Sequence, residues 1–506
     1  MKWNIKSKSI IVEIICLLFV MLFIYAAVSK VLEFDHFQVQ LGQSPLLSAF
    51  ASWISWVVPS VEILIAVILL LPQLRNIGLA ASLSLMTMFT AYIFIVLHYS
   101  SFVPCSCGGI LEKMSWNVHL IFNLVFVLFA VIAIILNGKN LYKAHFKIRY
   151  FNFKLIFSII VLSVVAVAVL FLSSEDIIHQ RNPFVRRYPP HPTVFVKLED
   201  LKVNSYYFAG YSRSRLYLGN KSNPLHVLSM DANLENQEAR TIIFDPKKIP
   251  FRAVVISVKD DNFFLSDGTV PKIFRGTLVD WKVNKELTGI PHFTLAIPID
   301  SSTIVYRSNI GKNAVNVLGI FNNNGKPKIK QNKELLQQQV DGIFDTDGTL
   351  LYNEQLQKMV YLYYYRNEFV VADQQSVLKY RGKTIDTIKH AKIKVATLDN
   401  GKQHVMSAPP FVVNSSASVY GNLLFVHSRV KGKYDSEKVW KNSFIIDVYD
   451  LTKKTYLMSF PVYRTGDNSL NSILATDKYF FALIGKHLVV YEIEEILRKE
   501  MTILKE

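Results

Sequence analysis

Two cysteines with a single residue between them, in Pro104-Cys105-Ser106-Cys107-Gly108-Gly109, are the most chemically pointed feature of this chain, which has one further cysteine, Cys16. A dithiol this close can cycle to a disulfide. The ring it closes is small and strained, and strain raises the reduction potential, so the pair reads as labile or catalytic rather than as a staple. Pro104 stiffens the approach, and Gly108 and Gly109 permit tight backbone geometry. Either Cys105 or Cys107 can act as the catalytic thiolate, because exchange runs through a mixed disulfide. Two unreactive thiols and a static turn disulfide are the competing readings. His98 and His119 flank the pair and would complete a zinc or copper set. Lone histidines at helix ends are usually interface residues, so no metal site is expected.

Three other ionisable residues stand out. Lys30 and Glu33 lie three apart where the first apolar segment ends, so they share a helix face and can pair; Lys30 reads first as an interface anchor with a snorkelling stem, and otherwise as a residue with a role near the cysteine pair. Pro59 suits the first turn of a helix, which puts Glu62 a turn deeper. An acid within a span is costly and usually faces the bundle interior, so Glu62 is expected to support function or lock the bundle. Cys16 lies most of a bilayer away from Cys105 at about 1.5 Å per helical residue, and reads as a small buried apolar residue.

These residues must be positioned by membrane helices. Five apolar stretches, at roughly 10–32, 50–71, 77–98, 116–137 and 154–173, are long enough to span hydrocarbon. The first is too long, and too poor in a cleavage site, for a signal peptide. Lys2, Lys6 and Lys8, Arg75, and the basic run from Lys139 to Lys154 fall on one side. The positive-inside rule puts that side in the cytoplasm, with the Cys105 segment and everything after about 174 outside. The expected home is a bacterial inner membrane. The formal charge of +17 does not indicate nucleic acid. Residues after 173 scatter 45 Lys and Arg among 34 Asp and Glu, with no aromatic-interleaved basic run. Anionic lipid headgroups are the expected counterpart of the 138–154 loop.

From about residue 195 the pattern changes to short β-type runs such as Val254–Val258, Thr303–Tyr306 and Val360–Tyr365. Asp267-Gly268, Asn324-Gly325, Asp347-Gly348 and Asn400-Gly401 read as turns or hairpins. Two stretches, 422–450 and 477–491, each read as strand, connection and strand ending in Val-Tyr. Units of this size suggest propeller blades, six or seven of them, with a β-sandwich pair as the alternative. A proline-rich spacer at 175–194, with Pro183, Pro189, Pro190 and Pro192, precedes this all-β domain at 195–506. Asp341, Asp345 and Asp347 read as turn chemistry rather than a calcium loop, and Arg186-Arg187 as a membrane-proximal contact. The domain contains no cysteine and must rest on its own core.

Taken together, the four-helix pattern of residues 8–137, Lys30 with Glu33-Phe34, Pro59 with Glu62, the Cys105-x-Cys107-Gly segment and Trp116-Asn117-Val118-His119-Leu120 resemble the membrane redox family that includes the methylamine-utilisation protein MauE and the DoxX-like proteins. Gly108 follows Cys107 directly, where family members often carry a large apolar residue first. The resemblance implies a four-helix module over residues 1–150 that takes part in thiol oxidation or electron transfer at the outer boundary of the membrane. It also implies a role in maturing a periplasmic partner, as MauE serves a disulfide-rich amine dehydrogenase subunit in methylamine metabolism. The fifth helix, 151–174, would export the propeller, which would hold a thioredoxin-like protein or another redox substrate. The sequence leaves the electron acceptor open; a quinone between the helices, near Glu62, is one candidate. The rival reading is a non-enzymatic, membrane-anchored propeller receptor or scaffold.

Overall fold

The computed structural model describes residues 5–34, 37–38, 41, 47, 50–99, 115–137, 147–180, 183–245, 249–311, 314–398, 403–406 and 408–501. Its contacts separate two units, Met1–Pro190 with Lys433–Ser436, and His191–Gly432 with Glu437–Glu506.

The first unit is built on helices α1 (Ile5–Leu32), α2 (Ala51–Leu70), α3 (Arg75–Tyr99), α4 (Trp116–Asn137) and α5 (Lys147–Gln180). Among the described residues, five stretches are long and apolar enough to cross a membrane: Lys8–Leu32, Ala51–Leu70, Arg75–His98, Trp116–Asn137 and Phe153–Ser174. They are apolar all round because both faces lie in apolar surroundings. Phe19, Phe23, Ile65, Leu83, Ala130 and Ala133 face inward, whereas Met21, Leu64, Ile121, Leu128 and Leu162 face outward. Ala130 and Ala133 are fully buried, and small side chains there let helices approach closely.

Several hydroxyls within the spans are satisfied by their own helix, as hydrocarbon favours. The hydroxyls of Ser82, Thr87 and Thr90 donate to the carbonyls of Gly78, Leu83 and Met86 at 2.8, 2.7 and 2.7 Å. Ser84 and Ser163 join α3 to α5 at 2.9 Å, so the fifth helix packs on the bundle. One expectation is corrected. Helix α2 begins at Ala51, so Pro59 lies inside it and not in its first turn. Helix α5 runs on through Gln180, and the first strand begins at Thr193.

The second unit is a six-bladed propeller. Its blades are four-stranded antiparallel sheets. The first holds β2 (Tyr206–Ser212), β3 (Arg215–Asn220), β4 (His226–Asp231) and β5 (Glu238–Thr241). The second holds β6 (Val255–Lys259), β7 (Asn262–Asp267), β8 (Lys272–Thr277) and β9 (Val283–Leu287). The third holds β10 (Leu295–Pro298), β11 (Thr303–Ile310), β12 (Val315–Asn322) and β13 (Ile329–Asn332). The fourth holds β14 (Gly348–Asn353), β15 (Lys358–Tyr363), β16 (Glu368–Asp373) and β17 (Leu378–Lys383). After a two-stranded excursion, β18 (Val395–Leu398) and β19 (Gln403–Met406), the fifth holds β20 (Asn414–Tyr420), β21 (Leu423–Ser428), β22 (Ser443–Asp450) and β23 (Thr455–Tyr463). The sixth joins β24 (Leu470–Ala475), β25 (Tyr479–Ile484) and β26 (His487–Ile493) to β1 (Thr193–Asp200) from the other end of the domain. Thr193 pairs with Ile493 and Asp200 with His487, so the ring is closed by backbone hydrogen bonds.

The core lies between blades. Phe425, Phe444 and Phe460 of the fifth pack on Phe480, Ala482 and Tyr491 of the sixth. Middle strands are therefore covered on both faces, and every residue of β21 and β22 is buried, while the outer β5 is exposed throughout. That is why they read as continuous apolar runs rather than alternating ones. Aromatic rings lie across glycines of neighbouring strands. Phe263 pairs with Gly276 and Tyr306 with Gly319, where an added Cβ would meet the rings at 2.3 and 2.8 Å. In four blades the third strand ends in a side chain that caps its own hairpin. Asp231, Asn322, Asp373 and Asp450 each accept the backbone N–H two residues on.

Two outcomes follow from this architecture. A fragment spanning 183–506 is expected to melt cooperatively with no change on reduction, since it has no cysteine. A fragment starting at 202 lacks β1, leaves β26 as a bare edge, and should melt lower or aggregate; equal melting of the two would refute the closure. The second concerns His427, buried at 2% exposure, with Nδ1 2.6 Å from the Ser415 hydroxyl. Burial, helped by Arg429 and Arg464, pushes its pKa down to about 3. The unfolded chain takes up this proton near its ordinary value of about 6.5, the folded one does not, so stability falls as pH drops from about 6.5 towards 3. The slope from this group is at most about 1.4 kcal/mol per pH unit, and His427→Asn should flatten it in urea titrations of the fragment.

Candidate functional site

An acid stranded in a span must find a cation. Glu62 lies in the interior of α2, about 16 Å along the axis from its start by helical rise, and its side chain is fully buried. Lys30, in the last turn of α1, reaches it with Nζ 2.7 Å from Oε1. The Lys30 side chain is 20% exposed, and its ammonium lies 5.9 Å from the ring centroids of both Phe37 and Phe89. Lys30, which the sequence allowed to pair with Glu33 or to anchor at the interface, instead makes a bond between helices. A carboxylate inside a span needs the cation more than one at a helix end.

The pair lines a cavity of about 280 Å³. Phe23 of α1, Trp53 of α2, Phe89 and Tyr92 of α3, and Phe122 of α4 form much of its wall. Lys30, Glu33, Glu62 and His119, which the sequence singled out on three different apolar segments, all face this one space. Val167 and Leu170 complete it, so α5 contributes to the site as well as leading to the propeller.

The residue that sequence reasoning missed is Asn123. It is 3% exposed, lies on the cavity wall, and its Nδ2 has no hydrogen-bond partner in the structure. The same holds for Glu62 Oε2. The available signal was spacing: Asn123 follows His119 by four residues, on the same face of α4. The cavity thus offers an ammonium, a carboxylate, an imidazole and an amide within apolar and aromatic walls.

Cys105 and Cys107 lie outside the described residues. The segment that carries them joins α3 to α4, whose Tyr92 and Trp116 line the cavity. Cys16 is a free, buried thiol among the apolar side chains of the bundle. The two histidines differ in placement. His119 faces the cavity, while His98 is exposed, stacks on Phe94 and has Nδ1 3.0 Å from the Phe94 carbonyl. Among the described residues no three ligating side chains gather as a metal would need.

In the propeller unit the acidic cluster is turn chemistry. Asp345 is fully buried and accepts the backbone N–H groups of Gln339, Val340, Asp341 and Gly342. Burial opposes its charge, but these donors hold its carboxyl below the usual range. Asp347 pairs with Arg307. Asp347-Gly348 leads from one blade into β14 and is not a hairpin, and Asn400-Gly401 lies outside the described residues. Arg186, expected to contact the membrane, is instead buried on Asp435, which also accepts the Tyr188 hydroxyl at 2.8 Å.

The ion pair gives a direct test. Lys30→Met leaves a buried carboxylate uncompensated and should destabilise the bundle by about 3 kcal/mol, read as a lower melting temperature in detergent micelles. Adding Glu62→Leu should recover most of that loss; additive losses in the double variant would mean the two residues are not coupled.

Residues 8–136 match the family model of methylamine utilisation protein MauE, which stops before α5 and the propeller. No curated protein matches the chain. Among solved structures it is similar to a member of the DUF4221 family from Bacteroides vulgatus, at 11% identity, 60% of this chain, 97% of that one and a TM-score of 0.37. It is also similar to the β-propeller domain of Cps50 (Swd1) from Myceliophteria thermophila, at 9% identity, 60% and 100% coverage and a TM-score of 0.35. A third is hydrazine synthase of Kuenenia stuttgartiensis, at 10% identity, 59% and 82% coverage and a TM-score of 0.35. The blade count rests on the strand pairing described above.

Proposed function

We propose that this chain, a MauE-type membrane module continued by a six-bladed propeller, is a thiol–disulfide exchange protein of a bacterial inner membrane. Its basic loops face the cytoplasm, while the Cys105–Cys107 segment and the propeller face the periplasm. A thiolate of a partner protein attacks the Cys105–Cys107 disulfide, forming a mixed disulfide and releasing one cysteine thiolate. The partner's second thiolate resolves it. Two electrons and two protons pass to Cys105 and Cys107, and the partner leaves with a new disulfide. The propeller holds that partner, a thioredoxin-like protein or an immature redox enzyme, and has no thiol of its own to enter the exchange.

The observation that carries this reading is the convergence of Lys30, Glu33, Glu62 and His119 on one cavity, walled in part by the helices that the Cys105–Cys107 segment joins. Ionisable residues gathered inside a membrane mark a working site rather than an anchor.

Impermeant maleimide should label Cys105 and Cys107 in intact cells only after reduction, and should leave Cys16 unlabelled. Cys107→Ser should accumulate a mixed disulfide through Cys105 and stop oxidation of the partner. Equal labelling with and without reductant, together with normal partner oxidation in the variant, would favour a propeller receptor on a membrane anchor. Reporter fusions near residue 145 should read as cytoplasmic and near 200 as periplasmic.

A further inference from the structure

We propose that β1 is a dimerisation edge: two copies of this chain pair their β1 strands antiparallel about Leu198 and join their sixth blades into one continuous sheet. The strand is the outermost of its sheet and pairs only with β26, so its other row of N–H and C=O groups is bare. The outer strands of the other blades are guarded. Glu238 and Arg240 of β5, Lys285 of β9, Lys330 of β13 and Lys379 of β17 are exposed charges, and β23 carries Pro461 and is mostly buried. By contrast, β1 presents Val194, Phe195 and Val196 in succession and then Leu198, each between 37% and 55% exposed. An apolar edge of this kind is a template for another strand.

The strand's own residues select a second copy. Opposite residues of an antiparallel pair share a face. Phe195 lies opposite Tyr491 and Leu198 opposite Val489, side chains of the seam between the fifth and sixth blades. Lys197 lies opposite Val490 and Glu199 opposite Leu488, side chains of the seam between the sixth and first blades. The irregularity between Phe195 and Lys197 takes up Val196, which is why Phe195 and Leu198, three apart, share a face. Apolar and charged residues are therefore sorted to opposite faces. With Leu198 at the two-fold axis, Lys197 of each copy faces Glu199 of the other, and Leu198 packs on its counterpart beside both Phe195 rings. Moving the axis to Lys197 or to Glu199 sets like charges face to face, so the charges specify this register.

Within its own chain Lys197 reaches Glu235 at 3.6 Å, between exposed side chains, an attachment weak enough to exchange. Eight residues a side is well short of the roughly 20–30 of a standard interface. The pairing is therefore weak between free molecules and counts where the spans hold copies in one membrane. An extended peptide or a lipid surface could use the same edge, but neither would single out Leu198 as a centre or demand opposite signs at 197 and 199.

The test uses the full-length protein in isolated membranes, in a Cys105→Ser/Cys107→Ser background where the remaining Cys16 is buried. The propeller has no cysteine, so Leu198→Cys adds the thiol that reports the axis. Opposite residues of paired strands lie close enough for a disulfide. Mild oxidation should link Leu198→Cys into a dimer. It should leave Val279→Cys, at an 84% exposed site in the second blade, monomeric. Adding Lys197→Glu to Leu198→Cys sets like charges opposite and should weaken linking roughly 10-fold. Adding Glu199→Lys as well should restore it, a rescue that misfolding cannot imitate. Equal linking at positions 198 and 279, no effect of Lys197→Glu, failure of the rescue, linkage to a different protein, or no linkage at all would overturn the inference.

Discussion

The carboxylate of Glu62 is enclosed within a helix that water does not reach, and this cost organises the membrane unit. Lys30 is the cation that offsets it, and it can do so only if the end of α1 lies against the middle of α2. That single contact fixes the register of two helices that are otherwise uniformly greasy and could slide past each other. It also explains why a cavity persists there. Apolar side chains would collapse onto one another, but charged ends cannot be buried by Leu or Phe, and the aromatic rings of Phe37 and Phe89 surround the ammonium without filling the space.

The propeller rests on a different principle. Its buried carboxylates, such as Asp267 and Asp345, are held by nearby backbone N–H groups, and its apolar core is spread over the seams between neighbouring blades. Each middle strand is packed on both faces, and the sheet edges face outward or, for β26, are covered by β1. A ring of this kind needs no disulfide, in keeping with a domain that carries no cysteine.

Much of this was legible in the sequence because it is local. The spans follow from runs of apolar residues, and their bounds agree closely with the helices. The blades follow from turn signals and from the strands ending in Val-Tyr, which became β22 and β26. What escaped is what joins distant positions. Lys30 has Glu33 three residues away and Glu62 thirty-two away, and periodicity alone favours the near neighbour. Pro59 reads as a helix start in sequence, yet α2 carries it in its interior. The role of β1 in the sixth blade depends on β26 at the far end of the domain. Asn123 looks like one polar residue in an apolar run until its neighbours are known. The glycines opposite aromatic rings, Gly276 and Gly319, and the capping residues Asp231, Asp373 and Asp450 were local signals of the repeat that could have been read.

The pairing of β1 with β26 also sets an order of events during synthesis. Strand β1 leaves the ribosome ahead of every other strand of the propeller, and its only sheet neighbour comes last. Until that neighbour emerges, the growing domain is an open arc with a bare edge at each end, while the helices before it are already complete. Contacts of such long sequence separation form slowly, and open edges invite pairing with other chains. A stall or a premature stop near the C-terminus therefore yields something worse than a slightly shortened protein. It leaves a membrane-tethered arc with no closing strand, the form of this chain that a quality-control protease or a holding chaperone would have to recognise.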